Sequence, residues 1–313
     1  MILILGVTAS GKGRLTFRLA ESLGAEIISI DSMKVYRRMD IGTAKPPKEA
    51  RQQIRYHLID IVEPSDSFNV GTFIELACDA IEQIKGRDKP VIAVGGTALY
   101  IKALLYGLFD GPGTNEQIRK DLLVQAEAEG MEHLHRQLRT IDPAAAQRIS
   151  PGDSKRIIRA LEVYRITGKP ISSLQQQFEA EQTLHNWTII GLRREKPDAS
   201  SRINTRVKRM LEQGLVEEVK ALLAEEKPLS KQAQCAIGYA EIIEHLSGRI
   251  SLKEAAELIK KNTRRLAKNQ RTWFKSFKNV NWLDIEAEEP ADKIFVRTEI
   301  MLKNIGNCPG KCG

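Results

Sequence analysis

Gly6-Val7-Thr8-Ala9-Ser10-Gly11-Lys12 directly follows a short apolar run and directly precedes a helical pattern, the context in which a glycine-rich turn binds phosphate. The glycines let the backbone aim its N–H groups at one point, the helix start adds positive potential, and Lys12 can reach terminal phosphate oxygens. Next comes Gly13, where a Ser or Thr hydroxyl normally helps hold Mg²⁺. A helical glycine there costs about 0.5 to 1 kcal/mol relative to alanine. The pattern therefore predicts weakened Mg²⁺ binding, with water or another hydroxyl filling the gap.

A second chemical group follows at Asp31, which closes the apolar run Glu26 to Ile30. A carboxylate at a strand's C-terminal end, beside bound phosphates, can organise a metal or act as a general base. The run Pro90 to Val94 ends instead in Gly95-Gly96-Thr97, without the acidic residue that motor-type ATPases use beside the loop. On the loop alone the chain could still be a nucleotide-dependent kinase or NTPase, and ATP binding is an expectation of the motif.

These groups need a scaffold that brings strand ends together. Ile2 to Leu5, Glu26 to Ile30, His57 to Ile61, Pro90 to Val94 and Trp187 to Leu192 read as strands. Leu15, Leu19, Ala20 and Leu23 recur at helical spacing between the first two, and Gly24 suits the position just past a helix end. The pattern predicts an α/β fold: a P-loop NTPase-like parallel sheet core flanked by helices, with a mostly helical insertion domain. The core is expected at 1–114 and 186–313 and the insertion at 115–185, with breaks at Asp142-Pro143, Ser150-Pro151-Gly152 and Gly168-Lys169-Pro170. Helices are expected over Arg202 to Leu223, Ile237 to Leu246 and Leu252 to Phe277.

The chain has 313 residues, 42% of them hydrophobic, enough for a buried centre. It has no apolar run of about 18 residues, and its apolar start is too short for a signal-peptide core, so a cytoplasmic protein with no membrane partner is expected. Cys78, Cys235, Cys308 and Cys312 form neither a disulfide framework nor a paired zinc site. The charge is more telling. Ten Lys and Arg against two Glu between Arg249 and Lys278 account for the whole net charge of +8. On a helical projection Arg264, Lys268, Arg271, Lys275 and Lys278 fall within an arc of about 80°, opposite Ile259, Leu266, Trp273 and Phe277. The apolar stripe is expected to pack on the core, leaving the basic face as a solvated surface or the footprint of a polyanion.

Asp31-Ser32-Met33-Lys34-Val35-Tyr36, Met39 to Pro46, His57-Leu58-Ile59-Asp60 and Gly95 to Tyr100 resemble successive motifs of the tRNA dimethylallyltransferases (the IPP transferase family). Arg159 to Val163, Gly238-Tyr239 and Ala267 to Trp273 continue the match in order, over roughly residues 2 to 285. The resemblance implies transfer of a dimethylallyl group from its diphosphate to N6 of the adenosine 3′-adjacent to a tRNA anticodon, with Mg²⁺, by a monomer. Asp31 would then be the base, Thr97 would sit at the diphosphate and its Mg²⁺, and Arg206 would neutralise the leaving group. Gly6, Val7, Thr8, Ala9, Ser10, Gly11, Lys12, Gly13 and Arg202 would bind the diphosphate. The tRNA path would run along Asp31, Ser32, Met33, Lys34, Lys155, Arg156, Arg159, Gly238, Tyr239, Arg264, Lys268, Gln270, Arg271 and Lys275. Val7, Gly13, Lys34 and Asn269 depart from the family's usual residues, which leaves room for a slower or specialised member, or for a catalytically impaired RNA-binding one.

Overall fold

The computed structural model describes residues 1–108, 111–175 and 183–306. The chain forms two compact units, Met1–Leu105 with His185–Gly313, and Tyr106–Leu184, so the helical unit starts nine residues before the expected boundary. In chain order the elements are β1 (Ile2–Gly6), α1 (Lys12–Leu23), β2 (Glu26–Ile30), α2 (Lys48–Gln53), β3 (Tyr56–His57), α3 (Val70–Lys85), β4 (Val91–Gly95) and α4 (Ala98–Tyr106). Then come α5 (Glu116–Glu129), α6 (Met131–Ile141), α7 (Pro143–Arg148), α8 (Ser154–Thr167) and α9 (Ile171–Leu174). The chain returns through β5 (Thr188–Arg194), α10 (Lys196–Glu212), α11 (Leu215–Leu223), α12 (Lys231–Gln234), α13 (Tyr239–Leu246), α14 (Leu252–Phe274), β6 (Val280–Ile285) and α15 (Ala291–Gly306).

All six strands are parallel, in the order β3-β2-β4-β1-β5-β6. The central strands are buried through Leu3, Ile4, Leu5, Ile27, Ile28, Ile30, Ile92 and Ala93, which explains their unbroken apolar sequences. Register decides where the loops emerge: Gly95 lies opposite both Ile30 and Leu5, and Gly6 opposite Leu192. The turns leaving β1, β2 and β4 therefore open side by side at one edge, where the sheet order reverses.

Some elements differ from expectation for local reasons. β3 stops at His57 rather than Ile61 because Leu58 and Asp60 have φ of 62° and 56°, left-handed values that end an extended run. The stretch from Arg202 to Leu223 is two helices broken at Gly214, whose φ is 94°. β6 and α15 were not anticipated; β6 is an edge strand carrying Asn281 and Asp284, which blur its alternation. Cys308 and Cys312 lie outside the described residues.

In the helical unit Leu122, Leu134, Leu138, Ile157, Leu161 and Val163 share one core. Asp142 starts α7 by accepting the Ala145 N–H at 2.9 Å, and the same carboxylate holds the Ser172 N–H at 2.9 Å. Glu162, fully buried, takes hydrogen bonds from Arg119, Arg159 and the Asn115 N–H. Arg159 also donates to the carbonyls of Pro112 and Gly113. Arg159, expected on the tRNA path, is half-buried and engaged in the unit's interior ion pair.

Candidate active site

A cavity of about 470 Å³ opens at the shared strand edge of the first unit. Thr8 and Lys12 reach it from the phosphate loop, Asp31 to Lys34 from the turn after β2, Gly96 and Thr97 from the turn after β4, and Arg206 from α10. Leu99, Met210, Ile259, Leu266 and Trp273 supply an apolar wall opposite these polar groups.

The phosphate loop is fixed from outside by side chains remote in sequence. Arg194, buried at the end of β5, donates to the Ser10 carbonyl at 3.0 Å, and Arg202 donates to the Ala9 carbonyl at 2.9 Å. With its carbonyls tied outward, and Ala9 held at φ 62°, the loop can turn amide hydrogens toward the helix start. Arg206 donates to the Thr8 hydroxyl at 3.3 Å and lines the cavity. Arg202 does not line it: exposed, it lies against the phosphate loop and holds the loop backbone through its Nε. Gly6, Val7, Ala9, Ser10, Gly11 and Gly13 likewise lie outside the lining, where they shape the loop.

Gln270 is the least expected part. Placed on the tRNA path by sequence, it is only 7% exposed, and its amide joins two loops: Oε1 accepts the Thr8 N–H at 2.8 Å and Nε2 donates to the Gly96 carbonyl at 2.9 Å. A Cβ on Gly96 would come within 2.5 Å of that Nε2, so the approach requires glycine. The buried stripe of α14 consequently runs through Ala255, Ile259, Ala267, Gln270 and Phe274. Leu266, expected in the core, is 39% exposed and faces the cavity with Trp273.

Asp31 caps its own turn, Oδ1 accepting the N–H groups of Met33 at 2.9 Å and Lys34 at 3.2 Å. Its Oδ2 has no hydrogen-bond partner among the described residues. The next amide, Ser32 N–H, donates to the Thr97 hydroxyl at 3.3 Å and ties the β2 and β4 turns together. Three cations share the cavity with this carboxylate. Burial and the neighbouring Lys34 and Arg206 push Lys12 down to about 7, against the opposing pull of Asp31. Burial also lowers Lys34 and Arg206. Charge held this way, out of water and without full compensation, marks a site prepared for an anion.

Gly238 and Tyr239 were expected to touch tRNA, and both are buried. Tyr239 donates to Glu218 at 2.5 Å, and the Glu218 carboxylate also accepts the N–H groups of Asp40, Ile41 and Gly42 at 3.0, 2.8 and 3.2 Å. A Cβ on Gly42 would lie 2.4 Å from the Tyr239 ring. Their role is to hold the turn that carries Gly42 and Thr43 into the cavity wall. Lys45, nearly buried, is paired with Asp40 at 2.7 Å and Asp60 at 2.5 Å, and Asp60 also binds Arg51.

Of the remaining residues expected to face tRNA, Lys268 and Lys275 are exposed, as are Lys155 and Arg156 in the helical unit. Arg264 is half-buried and donates to Asn204 at 2.7 Å; Arg271 is half-buried, with its Nη1 buried and unpartnered. Sequence reasoning missed Arg194 and Glu218 altogether; the one available signal was that Arg194 closes β5 as Asp31 closes β2.

A family model described as IPP transferase matches residues 34–277. A tRNA dimethylallyltransferase of Geobacter metallireducens is 46% identical over 284 residues, covering 91% of this chain and 92% of its own. One from Acetivibrio thermocellus is 42% identical over 307 residues, 98% of each chain. Among solved structures, the tRNA isopentenylpyrophosphate transferase of Bacillus halodurans aligns with a TM-score of 0.71 at 38% identity, covering 97% of this chain and 95% of that one. A eukaryotic dimethylallyltransferase acting on tRNA aligns with a TM-score of 0.83 at 29% identity, covering 99% and 80%.

Proposed function

The chain belongs to the IPP transferase family, and on that premise we propose that it transfers a dimethylallyl group from dimethylallyl diphosphate to N6 of a tRNA adenosine, with Asp31 as the base. The acceptor is the adenosine 3′-adjacent to the anticodon. One observation supports the assignment above others: Asp31, Thr97, Lys12 and Arg206 line a single cavity that also has an apolar wall. Such a cavity suits a donor with a polyanionic head and a five-carbon apolar tail.

The chemistry follows from the groups present. An exocyclic amine is a poor nucleophile because its lone pair is delocalised into the ring, so attack needs an allylic carbon made electrophilic by the departing diphosphate. The N6–carbon bond forms, the carbon–oxygen bond breaks with both electrons leaving on the diphosphate, and the surplus proton of N6 passes to Asp31 Oδ2. Lys12 and Arg206 meet the negative charge that develops on the leaving group, the kind of prearranged stabilisation whose loss costs about 10²- to 10³-fold in rate. Asp31 need not be strongly basic, because N6 becomes acidic only as its bond to carbon forms. Leu99, Leu266 and Trp273 supply an apolar surface for the five-carbon tail.

The donor set fits Mg²⁺ in the way that ion is held on phosphates, by substrate oxygens, water and one or two protein groups. Among the described residues no cluster of three or more His, Cys, Asp or Glu exists and Gly13 offers no hydroxyl; the Thr97 hydroxyl, in the cavity lining, would be a protein ligand, as the family resemblance implies. When bound, Mg²⁺ would screen the charge of the diphosphate.

In the first unit the tRNA follows the basic face at Lys268, in α14, and at Lys275, just past its end; in the helical unit Lys155 and Arg156 are exposed cations available to RNA. Adenine leaves its stack to enter the cavity, at a cost of a few kcal/mol that a loop lowers. No helix among the described residues is long and apolar enough to cross a membrane.

Mass spectrometry of nucleosides from tRNA incubated with the protein, Mg²⁺ and dimethylallyl diphosphate tests this reading. Adenosine heavier by one five-carbon unit is expected. Unchanged tRNA together with consumption of ATP would favour the kinase or NTPase alternative, and binding of tRNA without turnover the catalytically impaired one.

A further inference from the structure

Lys34 adds a charge to the cavity that the chemistry above does not use. Its side chain lines the same space as Lys12 and Arg206, so three cations surround the one carboxylate of Asp31. No ion pair engages any of the three among the described residues. The contrast within this chain is Lys45, equally withdrawn from water but paired with Asp40 and Asp60. Three cations that share a single carboxylate repel one another and lose hydration, an unfavourable state that a polyanion relieves. Burial and the nearby Arg206 and Lys45 hold Lys34 below its ordinary ammonium value, against the pull of Asp31.

The same cavity lacks a hydroxyl at the position where phosphate loops normally help hold the metal. Packing does not impose this: a side chain at Gly13 would meet nothing within 4 Å. The loop thus lacks one metal contact, and the same cavity carries an additional positive charge at Lys34.

We propose that Lys34 is a fixed counter-charge for the donor's diphosphate that takes over part of the metal's task, so that the chain holds diphosphate at lower Mg²⁺ than a loop hydroxyl alone would require. The proposal rests on the diphosphate reading of the cavity. It assigns Lys34 to the donor's head rather than to the tRNA path, and it needs the ammonium charge, which arginine would keep and glutamine would not.

Calorimetric titration with inorganic pyrophosphate, in EDTA and again at saturating Mg²⁺, tests it without turnover. Lys34→Gln is expected to lose about tenfold in affinity in EDTA and less than about threefold with Mg²⁺ present, while Lys34→Arg stays near the parent in both. Equal losses of Lys34→Gln under the two conditions, or none in EDTA, overturn the proposal. A parent protein that binds pyrophosphate under neither condition instead overturns the diphosphate reading itself.

Discussion

Gln270 accepts the Thr8 N–H at 2.8 Å from a helix 262 residues further along the chain, and its other amide atom holds Gly96. One uncharged side chain therefore sets the distance between the turn that carries Lys12 and the turn that carries Thr97. Gln270→Ala would orphan a part-buried N–H and a buried carbonyl, at about 1 to 3 kcal/mol for each group left unpaired. Thermal unfolding should show that loss. Gln270→Glu keeps an acceptor for Thr8 but places negative charge beside the diphosphate, so pyrophosphate titration should find it the weaker binder of the two variants. Equal affinity in both would mean the amide does not face the anion.

Asp31→Asn separates the two tasks of this side chain. Asparagine keeps an oxygen for the Met33 and Lys34 amides, so the turn and the tRNA affinity should persist, while no anion remains to take the N6 proton. Single-turnover prenyl transfer should fall by about 10²- to 10⁴-fold. A rate within a few-fold of the parent would remove Asp31 from the proton's path.

What the sequence made legible, and what it did not, divides along chain separation. Lys12, Asp31 and Thr97 follow strands β1, β2 and β4, so each is recognisable from a run of apolar residues ending in a turn. Gln270, Arg194 and Glu218 act on turns 262, 184 and 176 residues away, and only the folded sheet order brings them there. The projection of α14 ran past the helix end at Phe274 to Lys275, Phe277 and Lys278, and it placed Leu266 and Trp273 against the core, because periodicity does not distinguish a protein interior from a cavity wall. Gly238 and Tyr239 are buried and Arg159 is half-buried in an ion pair, so motif membership drew attention to residues whose visible contacts are with the scaffold.

Lys12 makes stability depend on pH in a defined direction. Its folded value is about 7 against an ordinary 10.5, so between these the unfolded chain binds more protons and the free protein should grow more stable as pH rises. Bound pyrophosphate favours the protonated lysine and should flatten that rise. Melting temperatures between pH 7 and 9, with and without pyrophosphate, provide the measurement. Lys12→Met should remove most of the slope in the free protein; a slope unchanged in that variant would assign the pH dependence to another group.

The basic face of α14 yields a prediction about salt rather than about turnover alone. Lys268 and Lys275 are exposed, and each cation that contacts a phosphate contributes roughly 0.7 to 0.9 to the dependence of log affinity on log salt. Lys268→Glu combined with Lys275→Glu should weaken tRNA binding and lower that slope by about 1.4 to 1.8, measured by filter binding over a salt series. Both side chains lie outside the cavity lining, so pyrophosphate affinity should stay as it was. If tRNA affinity fell with the slope unchanged, the loss would come from altered packing, and the phosphate path would have to run elsewhere.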